Sequence, residues 1–328
     1  MTKWTEWIGK LAPAIALFGM TLALTWGWDL FVGVEDEISP VFYKSENLGN
    51  ILRQNAEYGI LAVGMTFVIL TAGIDLSVGS LLAFSSVVAA SMIERWGFSG
   101  AGFSLLVILC GLFAGSFLGA ANGVAVTAGR IQPFIVTLAM MSVARGFAFL
   151  WTGGRGIDLI GDEPRVFEML GQDIGPVPVP AILFLVTVGL SLLVLRRTRF
   201  GRFVYAIGSN ETAAYLSGIA VNRIKILVYT ICGFLSGLAA MIYTARNYAG
   251  RPDDGIGFEL DAIAAVVIGG TNLLGGRGGV GGTLIGALTI GVLNNVLGLR
   301  GVDPNLQRVL KGAIIVAAVL IQRERRSR

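Results

Sequence analysis

An acidic residue framed by glycines interrupts two apolar runs at Gly73-Ile74-Asp75-Leu76-Ser77-Val78-Gly79. The stretch Gly270-Thr271-Asn272-Leu273-Leu274-Gly275-Gly276 has the same frame: Gly, then Asp or Asn two later, Leu next, and Gly three beyond. Asn122, Gln132, Thr137, Arg145, Asn294 and Asn295 also stand inside apolar surroundings. Carboxylate, amide and hydroxyl groups in such places can hydrogen-bond a polar solute on its way through an apolar layer. Glycine-interrupted segments at corresponding places in two halves are a pattern of solute pathways. The competing reading is two tight turns joining helices at a membrane face, where Asp75 would cost little. The shared frame suggests an internal repeat, and the pathway reading makes Asp75, Ser77, Asn122, Gln132, Thr137, Asn272, Asn294 and Asn295 the candidate pathway residues.

Bond-making chemistry is poorly supplied. The 328 residues include no histidine, which excludes Ser-His-Asp triads, HExxH zinc sites and histidine-ligated haem. No catalytic residue and no metal site is expected. There is no GxxxxGK[ST] phosphate loop and no GxSxG elbow. Gly276-x-Gly278-x-x-Gly281 matches GxGxxG but joins two apolar runs with no strand before it, so a dinucleotide site is not expected. Cys110 and Cys232 each lie in an apolar stretch and read as packing residues rather than a disulfide or redox pair.

The elements that must hold these groups are membrane helices. Charged residues make up 14% of the chain against 54% hydrophobic, where soluble proteins carry roughly 25% charge. Mean hydropathy is +0.74. A soluble domain is excluded, and so is long disorder. Charge-poor runs long enough to cross a bilayer, about 20 residues each, cover residues 11–28, 58–74, 76–93, 96–129, 132–151, 174–195, 226–245, a stretch after Asp261, 280–299 and a last one ending near Gln322. The fold class is therefore an all-α integral membrane protein of about ten transmembrane helices, one domain over residues 1–328. The first run has no trustworthy cleavage site and reads as a retained anchor. Glu259 and Asp261 suit the first turn of the eighth helix. Arg145 should snorkel, pair or face a cavity, and Lys311 should snorkel to the outer surface.

With the N-terminus inside, the inner segments collect Lys3, Lys10, Arg130, Arg196, Arg197, Arg199, Arg202, Arg223, Lys225, Arg277 and the arginines at 323, 325, 326 and 328, against only Glu6, Glu211 and Glu324. The outer segments collect acids, among them Glu35, Asp36, Glu37, Asp158, Asp173, Asp253 and Asp254. Positive charge stays on the cytoplasmic side, so both termini are expected there. The same placement beside hydrophobic runs speaks against nucleic acid as a partner and for the lipid bilayer. Gly111, Gly115, Gly119 and Gly123 recur every four residues, and Gly233 and Gly237 repeat the spacing. They predict close helix packing. In the longest inner loop, 196–225, Ser209-Asn210-Glu211-Thr212-Ala213-Ala214 reads as a short helix with Ser or Asn as its cap. It is equally an ordinary surface turn and a docking site for a cytoplasmic partner.

Four stretches carry a resemblance: Ala62 to Ser80, Gly129 to Ile135, the loop from Gly201 through Glu211 to Asn222, and Phe258 to Thr271. Together they resemble the permease subunits of bacterial ribose-type sugar ABC importers, in the branched-chain amino acid and sugar permease superfamily, over roughly residues 47–322. The first 46 residues show no useful match. The resemblance implies a ten-helix permease in the bacterial inner membrane that pairs with a second copy, likewise this chain. It implies a cytoplasmic ATP-binding subunit and a periplasmic or extracellular sugar-binding protein, with ATP and Mg bound by the ATPase and no cofactor here. The loop around Glu211 resembles the family's coupling helix, which favours docking and points to Arg202, Ser209, Asn210, Glu211 and Thr212. Related permeases carry nucleosides or branched-chain amino acids, and these remain alternatives, as does, from another class, an ion channel or secondary carrier. Neutral pathway candidates favour a sugar over an amino acid, whose fixed charge needs charged partners.

Overall fold

The computed structural model describes residues 19, 41–97, 100–159, 165–175, 177–303 and 305–313. The first apolar run, Gly19 apart, and most of the last lie outside the described residues, so the tenfold count and the position of the termini do too. Among the described residues, six helices are long and apolar enough to cross a membrane. These are α2 (Val78–Trp96), α3 (Ala101–Ala128), α4 (Pro133–Thr152), α6 (Val179–Arg197), α9 (Val221–Asn247) and α11 (Val280–Leu299). α1 (Ser45–Leu70) is longer than most of them but carries Glu46, Arg53 and Glu57. α10 (Phe258–Ile268) has only 11 residues, about 16 Å of helix. The one-turn α5 (Arg165–Glu168) and two tiny antiparallel pairs complete the far end, β1 (Ile157–Asp158) with β4 (Ala249–Gly250) and β2 (Asp173–Ile174) with β3 (Val177–Pro178).

Local chemistry sets the boundaries. α2 and α4 end where Gly97 (φ +54°) and Gly153 (φ +63°) take left-handed backbone, which glycine adopts at little cost. Pro133 and Pro180 occupy the first turns of α4 and α6, where a missing N–H costs nothing. The inner loop holds two helices rather than one. α7 (Arg199–Ser209) is capped by the Thr198 hydroxyl accepting from Gly201 N–H at 3.2 Å. α8 (Glu211–Leu216) is capped by Asn210 Oδ1 accepting from Ala213 N–H at 2.9 Å. Asn210 is thus the cap, and Ser209 closes α7. Arg199 and Arg202 interrupt the apolar pattern of α7, although Gly201, Val204 and Ile207 recur at helical spacing and are buried.

α1, α2 and α9 form the centre, with α1 buried from Gly59 through Leu70. Lipid offers no hydrophobic gain for helix association, so close packing and polar contacts must hold the bundle. The α3–α9 seam shows how. A Cβ on Gly115 would overlap Gly233 O and lie 2.9 Å from Gly237 N, and one on Gly233 would meet Gly119 Cα at 2.9 Å. Gly111 packs on Met241 and Gly123 on Ile226, so the helices run antiparallel with backbones in contact.

Two chain segments leave helical form at depth. From the C-terminus of α1, residues 71–77 climb back beside Tyr229 and Asn122 before α2 begins. From the opposite end, Gly250 packs against Ser86 and Ala90 of α2, and the chain continues along that helix until Gly255 meets Gly79. There α10 starts, its Phe258 ring 4.3 Å from the Tyr58 ring half-way along α1. The eighth span is therefore a half-length helix fed by a re-entrant segment, not a full crossing. Irregular backbone at such depth persists only where protein covers it, and Gly79 and Gly255 let the two segments touch.

The two framed motifs turn alike. Gly73 N–H bonds Val68 O (3.1 Å) and Thr271 N–H bonds Val266 O (3.1 Å), closing α1 and α10 around left-handed Ala72 (φ +60°) and Gly270 (φ +84°). Asp75 Oδ1 then accepts from Ser77 N–H, and Asn272 Oδ1 from Leu274 N–H. Cap and side-chain turn are three residues apart in the first copy and two in the second, so the repeat is structural but one residue out of step.

Candidate translocation core and coupling surface

Four candidate residues meet around the 71–77 climb. Asp75 Oδ1 accepts from Ser77 N–H at 2.9 Å and from Ser77 Oγ–H at 2.5 Å. Asn122 on α3 donates to Ser77 Oγ at 2.9 Å, and the Thr137 hydroxyl on α4 donates to Ile74 O at 3.1 Å. All four side chains are fully buried. They tie the turn to α3 and α4. Asn122 and the Cys232 thiol also stand beside the Asp75 carboxylate, while Asn122 Oδ1 and Tyr229 OH meet no hydrogen-bond partner among the described residues. Open capacity of this kind in a low-dielectric site carries a large cost.

The other candidates stand elsewhere. Gln132 is exposed at the α3–α4 turn, where its backbone carbonyl accepts from Ile135 and Val136 N–H. Asn272 stays in its own turn at the α7 end of the bundle. Asn295 exchanges hydrogen bonds with Asn47 at 3.0 and 2.8 Å near the opposite end, and neighbouring Asn294 keeps an unpartnered Oδ1.

Charged groups hold the re-entrant segment. Arg145 Nη1 donates to Pro252 O at 2.7 Å and to Asp254 O at 2.5 Å. Asp254 Oδ2 in turn accepts from Arg251 N–H at 2.8 Å and from Ser86 Oγ–H at 3.1 Å, with the Thr244 hydroxyl donating to Ser86. Glu259, in the first turn of α10, places Oε2 against Gly79. Glu57 on α1, with no exposed surface, receives Arg246 Nε at 2.7 Å and its Nη2 at 3.2 Å. In the sequence Glu57 stands just before the apolar run 58–74, and only its partner on α9 explains its burial. Lys311 donates to Asp261 at 2.9 Å, so it is paired rather than snorkelling.

The α7 end carries the second surface. Glu211 bonds Lys225 at 2.7 Å within the chain, Ser209 Oγ donates to Tyr205 O, and Arg202 and Thr212 are exposed. Tyr215 and Leu216, which the sequence reading passed over, are 70% and 79% exposed. With Glu211, Thr212, Val221 and Asn222, Tyr215 borders a shallow hollow of about 350 Å³. An apolar tip on a capped, basic-flanked helix suits docking to a protein surface. Tyr205 donates to Gly278 O at 3.0 Å, and burial raises its phenol above the ordinary range, with Arg196 opposing. It therefore stays a donor at neutral pH.

Comparisons with known proteins agree along the chain. The ribose import permease protein of Haemophilus influenzae is 45% identical over 296 residues, covering 89% of each chain. That of Bacillus subtilis is 45% identical over 318 residues, 96% of this chain and 93% of its own. The fructose import permease protein of Rhizobium meliloti is 38% identical over 286 residues, 85% and 78%. No solved structure matches. The family described as branched-chain amino acid transport system / permease component matches residues 47–319, and with that span and these relatives the chain belongs to this family of membrane transport permeases.

Proposed function

We propose that this chain is the membrane-spanning permease subunit of an ATP-driven importer for a monosaccharide, ribose or a close relative, in a bacterial inner membrane. The observation that carries the reading is identity of 44–45% to ribose import permeases of three organisms over about nine-tenths of the chain or more. A second copy completes the pathway, and the exposed apolar faces of α3, α4 and α6 are available to lipid and to that copy. ATP and Mg belong to a cytoplasmic ATP-binding subunit docking on α7–α8, and a periplasmic or extracellular sugar-binding protein delivers the solute at the other end.

In this reading about ten helices cross the bilayer and both termini lie in the cytoplasm with α7–α8. Asp75, Ser77, Asn122 and Thr137 shape the turn beneath the pathway, and ATP-driven motion of α7–α8 favours one access state over the other through differential contacts. Expression in cells lacking their own ribose permease tests the substrate. Restored uptake of labelled ribose supports it, whereas uptake of nucleosides or branched-chain amino acids alone overturns it. For the topology, single cysteines at Ser209 and Asp173 should react with an impermeant reagent in intact cells only at position 173; labelling at 209 contradicts the arrangement.

A further inference from the structure

Three pieces of backbone converge at the inner side of α7. A Cβ placed on Gly208 would overlap Leu70 O, the last carbonyl of α1, and lie 2.6 Å from Gly276 N. Gly276 N–H itself donates to Leu70 O at 3.0 Å. Gly275 (φ +84°) sits with its Cβ position 2.9 Å from Ala72 N and 3.0 Å from Gly208 O, and Gly276 (φ +71°) lies against Ser209. Tyr205, one turn earlier on α7, donates to Gly278 O at 3.0 Å. One helix lying outside the bundle thus touches both structural repeats, the turn after α1 at its start and the turn after α10 at its end.

Each turn leads at once into the core. Three residues beyond Ala72 comes Asp75, with its ties to α3 and α4, and then α2. Two residues beyond Gly278 α11 begins, which meets α10 backbone to backbone at Gly269–Gly282 and Gly286–Ala265. A contact built from backbone atoms has no rotamer to absorb a shift. Displacement of α7 therefore moves both turns together.

We infer that Gly208, with Tyr205, is the positioning residue through which motion of the ATPase-facing helices reaches both halves of the permease at once. This rests on the reading of α7–α8 as the surface that meets the ATP-binding subunit, and it goes beyond that reading by separating docking from transmission. Docking lies on the outward residues Tyr215 and Leu216. Transmission lies on the inward pair.

The test compares Gly208→Val and Tyr205→Phe with Leu216→Asp in the complete complex of permease, ATP-binding subunit and sugar-binding protein. Gly208→Val should lower sugar uptake by about tenfold or more while the ATP-binding subunit still co-purifies in wild-type amount, and hydrolysis should no longer respond to loaded binding protein. Tyr205→Phe, which removes one hydroxyl and leaves packing intact, should show the same uncoupling to a smaller degree. Wild-type uptake and stimulation in Tyr205→Phe together with Gly208→Val overturns the inference. So does loss of the ATP-binding subunit from both to the extent seen in Leu216→Asp, since the junction would then only shape the docking surface. If Gly208→Val does not insert, Tyr205→Phe decides alone: uncoupling with the subunit retained supports the inference, and wild-type behaviour overturns it. If Leu216→Asp keeps the ATP-binding subunit fully bound, the docking reading fails, whatever Gly208 does.

Discussion

Arg145 on α4 lies with Nη1 2.5 Å from the main-chain oxygen of Asp254, in a segment 109 residues away in sequence. Because the same nitrogen also serves Pro252 O, one guanidinium satisfies two carbonyls that re-enter the bundle without helical partners. Hydrogen bonds to a charged donor contribute about 1.5–3 kcal/mol. Arg145→Leu should cost about that much and free residues 251–257, read as a lower melting temperature in detergent and new proteolysis between Gly250 and Phe258. Unchanged melting and cleavage would show that the segment holds itself.

Asp75 has a more demanding role. Its Oδ1 receives both the backbone N–H and hydroxyl of Ser77, and an amide oxygen can replace that carboxylate oxygen. Asp75→Asn should leave assembled permease near wild-type level, while Asp75→Ala leaves two buried donors unpaired at about 1–3 kcal/mol each and should lower it. Equal loss in both variants would mean that the charge matters more than the turn.

The α3–α9 seam tolerates less. Gly115 has Gly233 O where a side chain would stand, and overpacking typically costs about 1–3 kcal/mol even for added methylenes. Gly115→Leu should abolish assembled protein by size-exclusion profile, and Gly146→Leu, whose Cβ position on α4 is open, should not. Normal assembly of Gly115→Leu would place the contact outside what the fold needs.

The glycine spacing and the two framed motifs could be read because each follows a period that neighbours in sequence share. Arg145, Glu57 and Lys311 find their partners at Asp254, Arg246 and Asp261, far along the chain, and nothing local announces them. Length misled at Asp261, since an apolar run that should cross the membrane is a half-helix entered from a re-entrant segment. α7 was hidden for a related reason: arginines on its outer face broke the run that its buried Val204 and Ile207 belong to. Asn272, Asn294 and Asn295 share polar chemistry with Asp75, and only packing shows which neighbours each one meets.

On α8 the paired Glu211 and the bare Leu216 predict different outcomes. Glu211 is half exposed and bonded to Lys225, a setting worth about 0–1 kcal/mol. Glu211→Gln should barely change the affinity of the ATP-binding subunit, while Leu216→Asp should weaken it about thirtyfold, on the order of 2 kcal/mol for a buried apolar anchor. The reverse order would move the docking site from the apolar tip to the carboxylate.

The central claim is tested most directly in proteoliposomes holding this chain and its ATP-binding subunit, with the sugar-binding protein and labelled ribose outside and nucleotide enclosed. The account predicts accumulation of ribose with enclosed ATP and Mg, and none with a non-hydrolysable analogue or without the binding protein. Equal accumulation with and without hydrolysable ATP, or accumulation driven by an ion gradient alone, would contradict it.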